Sequence, residues 1–318
     1  MSFSSDIKNE IARQPIDNLC CAKSELSALT RTTAIITLIG GGGLSLDYRS
    51  ENAAVARRIY GLLKKCYQIS SKVSVSKSRK LKKNNTYVVK MDQKVTQILA
   101  TLELTRTESD NPFDLNKGIP SLAYQGECCQ RSYIRGAFLG CGSLSDPEKS
   151  YHLEFVNHSE THARDLSKLL TKYGLEARIV SRKNSFINYI KESEQIVDLL
   201  NVIGAHNALL TMENIRVIKS MRNNINRVIN CETANLAKTV DASMRQVQHI
   251  EHIQNTIGLD KLPPPLAEIA RLRLENPDIS LKELGEMLQP PIGKSGVNHR
   301  FKKIENIAEN ITNERSFK

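Results

Sequence analysis

Two stretches hold residue types that could act on a polyanion. In RGAFLGCGSLSD, residues 135–146, small residues recur at helical spacing, a glycine stops the helix, and a loop follows with one acid, Asp146. Carboxylates near such helix ends could hold Mg²⁺, a hard cation that takes oxygen ligands, against a scissile phosphate. The stretch is either the working end of a DNA-cutting enzyme or the scaffold of one with its chemistry removed. In KSGVNHRFKKI, residues 294–304, Val297, Phe301 and Ile304 fall on one helical stripe and leave Lys294, Ser295, Asn298, His299, Arg300, Lys302 and Lys303 on the remaining surface. Arg matches guanine edges and Asn adenine edges in a major groove, while Lys and Ser tie down phosphates.

Bulk composition agrees with a polyanionic partner. Lys and Arg outnumber Asp and Glu by 45 to 34 in 318 residues, a formal charge of +11. Aromatic residues make up 5% and Trp is missing, which argues against base stacking as the main binding mode. The 7 cysteines are odd in number and form no CxxC pair, so reduced thiols of a cytosol fit better than a disulfide framework or a zinc knuckle. Nothing near Cys141, or near the Cys128 and Cys129 pair, marks an activated thiolate. Neither a signal peptide nor a membrane span is readable.

The elements that must position these residues repeat with a period of roughly a hundred residues, right for two copies of one domain. Each copy opens with a helix, 24–37 and 128–140, followed by an alternating strand, GLSLDYR from Gly43 and YHLEFVN from Tyr151. Helices follow over 52–66 and 160–173, with Ser50 or Asn52 and Ser159 as N-caps and Gly174 as a C-cap. Strand pairs 72–76 with 86–91 and 177–181 with 186–191 read as hairpins, and helices near 92–104 and 192–203 close the copies. Both copies thus read α-β-α-β-β-α. The first hairpin region carries Lys72, Lys77, Arg79, Lys80, Lys82, Lys83, Lys90 and Lys94 against Asp92; its counterpart carries Arg178, Arg182, Lys183 and Lys191. These are candidate phosphate contacts, or lysines protecting a solvated sheet edge.

Residues 1–20 form an N-terminal segment, 21–104 and 128–204 the two copies, and 105–127 a linker rich in Asn, Pro, Gly and Ser. Residues 205–257 read as a helical connector on which Arg222, Asn223 and Arg227 approach DNA or brace the duplicated domain against the tail. Three consecutive prolines place a hinge at 258–265. In 266–318, Ser280 and Glu283 form a capping box, and a turn precedes the basic helix, the sequence form of a helix-turn-helix with its motif at about 279–313.

With repeat and tail together, the chain resembles the WhiA family. The resemblance covers nearly the whole chain and is strongest in GGGLSLDYRSENAAVARRIY from Gly41, RNNINRVINCETANLAKTV from Arg222 and DKLPPPLAEIARLRLENPDISLKELGEMLQPPIGKSGVNHRFKKI from Asp260. It implies an α+β fold: a duplicated, degenerate LAGLIDADG homing-endonuclease saddle followed by an all-α helix-turn-helix domain. It also implies a DNA-binding transcriptional regulator of Gram-positive bacteria, linked to cell division, chromosome segregation and, where present, sporulation. Laid over the family motif, Gly136 and Gly140 take small-residue positions and Cys141 stands where active relatives carry the metal-holding acid; a thiol is a poor Mg²⁺ ligand. The first copy has no Asp or Glu from 26 to 46, and Asp47 and Asp146 lie beyond the helix ends. The expectation is a non-enzyme without metal or cofactor, cytoplasmic and nucleoid-associated. Its partner is double-stranded DNA at promoters, with RNA polymerase or another regulator as a further partner, and neither membrane nor small-molecule substrate is implied. The alternatives are a residual Mg²⁺-dependent endonuclease and a protein-interaction platform whose helix-turn-helix is its only DNA contact.

Overall fold

Ser2 begins the fold by capping α1 (Phe3–Ile11), its hydroxyl accepting from the Ser5 N–H, and Ile7 and Ile11 of that helix are fully buried. The expected N-terminal segment is therefore part of the core. The structure, a computed structural model, describes residues 2–16, 18–40, 43–77, 85–105 and 115–316, with side chains as far as 312. The first repeat continues with α2 (Leu19–Thr33), β1 (Ala34–Ile39), β2 (Gly43–Ser50), α3 (Ala53–Tyr67), β3 (Lys72–Lys77), β4 (Asn85–Met91) and α4 (Val95–Thr101). The second comprises α5 (Glu127–Cys141), β5 (Gly142–Leu144), β6 (Leu153–Asn157), α6 (Glu160–Thr171), β7 (Arg178–Arg182), β8 (Ser185–Ile190) and α7 (Ser193–Ile203).

The duplication and the α+β class are as expected, but each copy has one strand more than the sequence pattern gave. The order is α-β-β-α-β-β-α, and the sheets run β1-β2-β4-β3 and β5-β6-β8-β7, antiparallel throughout. AIITLI at 34–39 continues the apolar run of α2 without alternation. Its β-branched Ile35, Ile36, Thr37 and Ile39 nevertheless favour the pleated conformation, and the segment pairs with β2 from Ala34↔Tyr48 to Ile39↔Gly43. Strand β5, at 3 residues, is too short for a period-two signal.

Local chemistry fixes the helix starts. Asn52, rather than Ser50, caps α3 by accepting from the N–H groups of Ala54 at 2.8 Å and Val55 at 3.2 Å. Ser159 caps α6 through the His162 N–H. Helices α2 and α5 pack side by side. A Cβ on Gly136 would collide with the Glu25 carbonyl oxygen and the Ala28 Cβ, and one on Gly140 with the Thr32 hydroxyl. These two glycines set how closely the helices approach.

One apolar core runs through both repeats, joining Leu26, Leu29, Leu46, Ile59 and Leu62 to Phe138, Phe155, Leu166 and Leu199. Each such side chain contributes about 1.5–3 kcal/mol on burial. Polar groups inside the two halves differ. In the first, the Tyr48 and Thr30 hydroxyls meet at 3.0 Å. In the second, Tyr133, His162, Asn157 and Asn188 form a buried chain with steps of 2.9, 2.9 and 2.8 Å, ending on the Ala163 carbonyl. Part of the expected linker also folds: Leu122 and Ala123 are buried in a 3-10 turn, Ser121–Tyr124. Residues 106–114 lie outside the described residues.

The chain divides into two compact units, Met1–Lys219 and Ser220–Lys318. The expected connector is one 51-residue helix, α8 (His206–Thr256), followed by α9 (Pro264–Glu275), α10 (Leu281–Glu286) and α11 (Lys294–Ser316). The expected hinge at 258–265 is not a boundary. Ile250 and Ile253 of α8 share a core with Leu259, Leu262, Leu266, Ile269, Leu284, Val297, Phe301 and Ile304. Gly258, at φ +84, ends α8, and Pro264 and Pro265 open α9, where a proline's missing N–H is no loss. The Ser280–Glu283 capping box is present. Among the described residues, no helix is long and apolar enough to cross a membrane.

Candidate nucleic-acid interface

The ends of α2 and α5 are where metal-holding acids would stand, and the side chains there are of another kind. Helix α2 ends at Thr33. Helix α5 ends at Cys141, half-buried, with Sγ 3.8 Å from the Asn157 side-chain oxygen. Burial pushes its thiol up to about 12 although the Lys8 ammonium pulls the other way. Lys8 itself is lowered by burial and lies 6.0 Å from the Phe138 ring centre. Asp47, on β2, accepts from Ser45 at 3.0 Å and pairs with Lys90 at 3.9 Å. Asp146 accepts from the Glu148 N–H within its own loop and pairs with Lys149. Both carboxylates are held by close sequence neighbours or a strand neighbour.

Strand register sorts the basic residues onto faces. Leu46, Tyr48, Val89 and Met91 are buried, so the alternate residues of β2 and β4 look away from the helices. On that free face Asp47, Lys90 and Lys72 form one row across β2, β4 and β3, with exposed Arg49 a step along. Lys77 pairs with Asn85 in the register of Val73 and Val75, and so belongs to the helix-side face. In the second sheet, Leu153, Phe155 and Ile190 are buried and the free face holds the matching row Glu154, Tyr189 and Arg178, with Arg182 further along β7. Lys183 occupies the hairpin turn at φ 54. Arg79, Lys80, Lys82 and Lys83 lie outside the described residues. Arg49 was missed because the alternation of β2 was read for its apolar side alone.

In the C-terminal unit the basic helix is α11, as expected, but its polar residues are not equivalent. Val297, Phe301, Ile304 and Ala308 are its buried stripe. At 3.6 residues per turn, Ser295, His299, Lys302, Lys303 and Asn306 stand opposite that stripe, all exposed. Asn298 and Lys302 also line a cleft of about 160 Å³ with Arg245 and His249 of α8. Lys294 borders a second cleft beside Lys238 and Ser280. The Arg300 guanidinium turns back onto α9, donating to the Pro265 carbonyl at 3.2 Å and standing 3.9 Å from Glu268. The turn before α11 is tight: a Cβ on Gly285 would strike the Ile292 carbonyl oxygen. Arg273, 2% exposed, braces the motif by donating to the carbonyls of Asn276, Pro277 and Ile279 and packing 5.4 Å from the Phe301 ring. Arg222, Asn223 and Arg227 are exposed on α8.

Three family models match these parts in turn: the WhiA N-terminal LAGLIDADG-like domain over 19–105, the WhiA LAGLIDADG-like domain over 130–222 and the WhiA C-terminal HTH domain over 225–308. The chain belongs to the WhiA family. A WhiA protein of Clostridium beijerinckii, named probable cell division protein WhiA, is 53% identical over 313 residues, covering 98% of this chain and 99% of its own. One of Clostridium acetobutylicum, with the same name, is 51% identical over 316 residues, 99% of each chain. The crystal structure of full-length DUF199/WhiA from Thermatoga maritima superposes with a TM-score of 0.58 at 25% identity, covering 98% of this chain and 99% of that one. The WhiA models meet near 222–225, inside α8 and close to the division between the two compact units.

Proposed function

We propose that this WhiA-family chain is a sequence-specific, double-stranded-DNA-binding regulator of transcription that uses a homing-endonuclease scaffold without its chemistry. The observation that carries this is the exposed stripe Ser295, His299, Lys302, Lys303 and Asn306 on the last helix of a helix-turn-helix. The stripe pairs hydrogen-bonding groups with cations, as groove reading requires. The non-enzymatic part rests on Thr33 and Cys141 at the helix ends and on the engagement of Asp47 and Asp146 elsewhere. The free sheet faces, through Arg49, Lys72, Arg178 and Arg182, supply phosphate contacts that position the duplex without reading it. The relatives' name, probable cell division protein, supports cell division as the process regulated; we extend this to chromosome segregation and, where it occurs, sporulation. This activity is exercised in the cytoplasm on the nucleoid, at promoters, beside RNA polymerase or a second regulator.

The test is genome-wide occupancy in the native bacterium by the full chain and by a chain with His299→Ala, Lys303→Ala and Asn306→Ala together. Sharp promoter peaks lost in the triple variant support the proposal; unchanged peaks overturn the role given to α11. A plasmid-nicking assay with Mg²⁺ checks the other half: cutting abolished by Asp146→Ala restores the endonuclease reading.

A further inference from the structure

Vicinal cysteines stand at the same place in both members of the central helix pair: Cys20 and Cys21 are the second and third residues of α2, Cys128 and Cys129 those of α5. Their four Sγ atoms all lie within 4.8 Å of one another. The helix starts are held together there, since Ser24 Oγ donates to the Cys129 carbonyl at 2.7 Å in a buried bond. The cluster sits at the opposite end of the pair from Thr33 and Cys141, away from the place where the fold's chemistry was lost. Cys129 is buried, Cys21 half-buried, and Cys20 and Cys128 exposed, so the inner ligands are shielded while solvent reaches the outer ones.

Four thiolates about 2.3 Å from one tetrahedral ion are separated by edges of about 3.8 Å, so a small contraction of the present cluster completes the set. A cubane iron–sulfur cluster, which puts each thiolate on a different iron, needs them spread wider. Two helix N-termini converge on the spot, and their positive ends offset the negative charge left by four thiolates and a divalent cation. We propose that Cys20, Cys21, Cys128 and Cys129 bind a single thiophilic divalent cation, Zn²⁺, which pins the two repeats together at the starts of α2 and α5. Four S–H bonds lose their protons to solvent as four Zn–S bonds form, and no electrons move. A search for CxxC cannot find this site; the doublet recurring at one position of a duplicated domain is the signal that does.

The experiment uses the untagged full-length chain, purified anaerobically with reductant, with zinc measured by plasma mass spectrometry and the metal-free protein titrated with Co²⁺. One ion per chain is expected, with the sulfur-to-cobalt charge-transfer and strong visible bands of a tetrahedral tetrathiolate that Zn²⁺ then abolishes. Cys20→Ser and Cys128→Ser alter exposed ligands and should keep the native circular dichroism. Each should weaken Zn²⁺ binding by more than the roughly 10–100-fold that losing an outer-shell partner costs, while Cys231→Ser on α8 leaves it unchanged. A folded wild-type chain that takes up no cobalt overturns the proposal. So does a pale octahedral spectrum indifferent to both serine variants, or an anaerobic protein whose mass shows the cysteines joined as disulfides.

Discussion

Arg135 on α5 reaches from the second repeat into the first and places its Nε 3.0 Å from Oε2 of Glu25 on α2. The same carboxylate takes Arg58 of its own repeat at 2.6 and 2.9 Å, and Glu25 is 1% exposed. One buried anion therefore answers two cations from different copies of the duplication. Glu25→Gln keeps the shape and strands both guanidiniums, so it should cost about 3–5 kcal/mol in urea unfolding. A loss below about 1 kcal/mol would mean that water reaches and solvates the arginines.

The chain from Tyr133 to Asn188 predicts a pH dependence. Burial, reinforced by the Arg31 cation, pushes His162 down to about 3 from its ordinary 6.5. Neutral His162 donates from Nδ1 to Asn157 and accepts at Nε2 from the Tyr133 hydroxyl. The unfolded chain takes up a proton below about pH 6.5 and the folded one does not, so this stability is complete above that pH. It is lost as pH falls toward 3, about 2 kcal/mol by pH 5. Urea unfolding of wild type against His162→Gln, near neutrality and near pH 5, checks the difference. Parallel losses would remove His162 as the cause.

On α11, residues on different faces should fail differently. Arg300→Ala removes a tether to α9 and should lower the melting temperature of the C-terminal unit while sparing the preference for one DNA sequence over another. His299→Ala or Asn306→Ala should leave the fold intact and cost about 1–3 kcal/mol at an occupied genomic site if either reads a base. An equal loss on random DNA would move that residue to the backbone.

The sheet faces are separable by salt. Lys72→Ala with Arg49→Ala should flatten the slope of log affinity against log salt by about 0.9 for each phosphate released, while Lys77→Ala, on the other face, leaves it unchanged. Filter binding or anisotropy across a salt series measures both. A slope that responds to Lys77 alone would reverse the assignment of faces.

The repeat, the capping box and the buried stripe of α11 were legible because each rests on a local period or cap. Strand β1 was not, since an unbroken run such as AIITLI has no period and only pairing with β2 makes it a strand. Nor was the place of Leu259 and Leu262, because prolines mark where a helix starts as well as where one stops. Among the site residues, α11 could be named from its charges, but only the structure shows Arg300 bound to α9. Register, which no single strand reveals, divides Lys72 from Lys77. The two cysteine doublets can be seen in the sequence at one position of the repeat, but only the packed helix pair shows that their four thiols meet.

The two rows across the sheets, Asp47–Lys90–Lys72 and Glu154–Tyr189–Arg178, match in position but not in kind: where one copy presents an ammonium, the other presents a phenol. A homodimer meets its duplex with two identical hands and therefore favours palindromes. Here the two halves of one chain present different side chains at matched positions, so the duplex proposed to lie across the sheets would meet two unlike surfaces, and its best site has no reason to read the same in both directions.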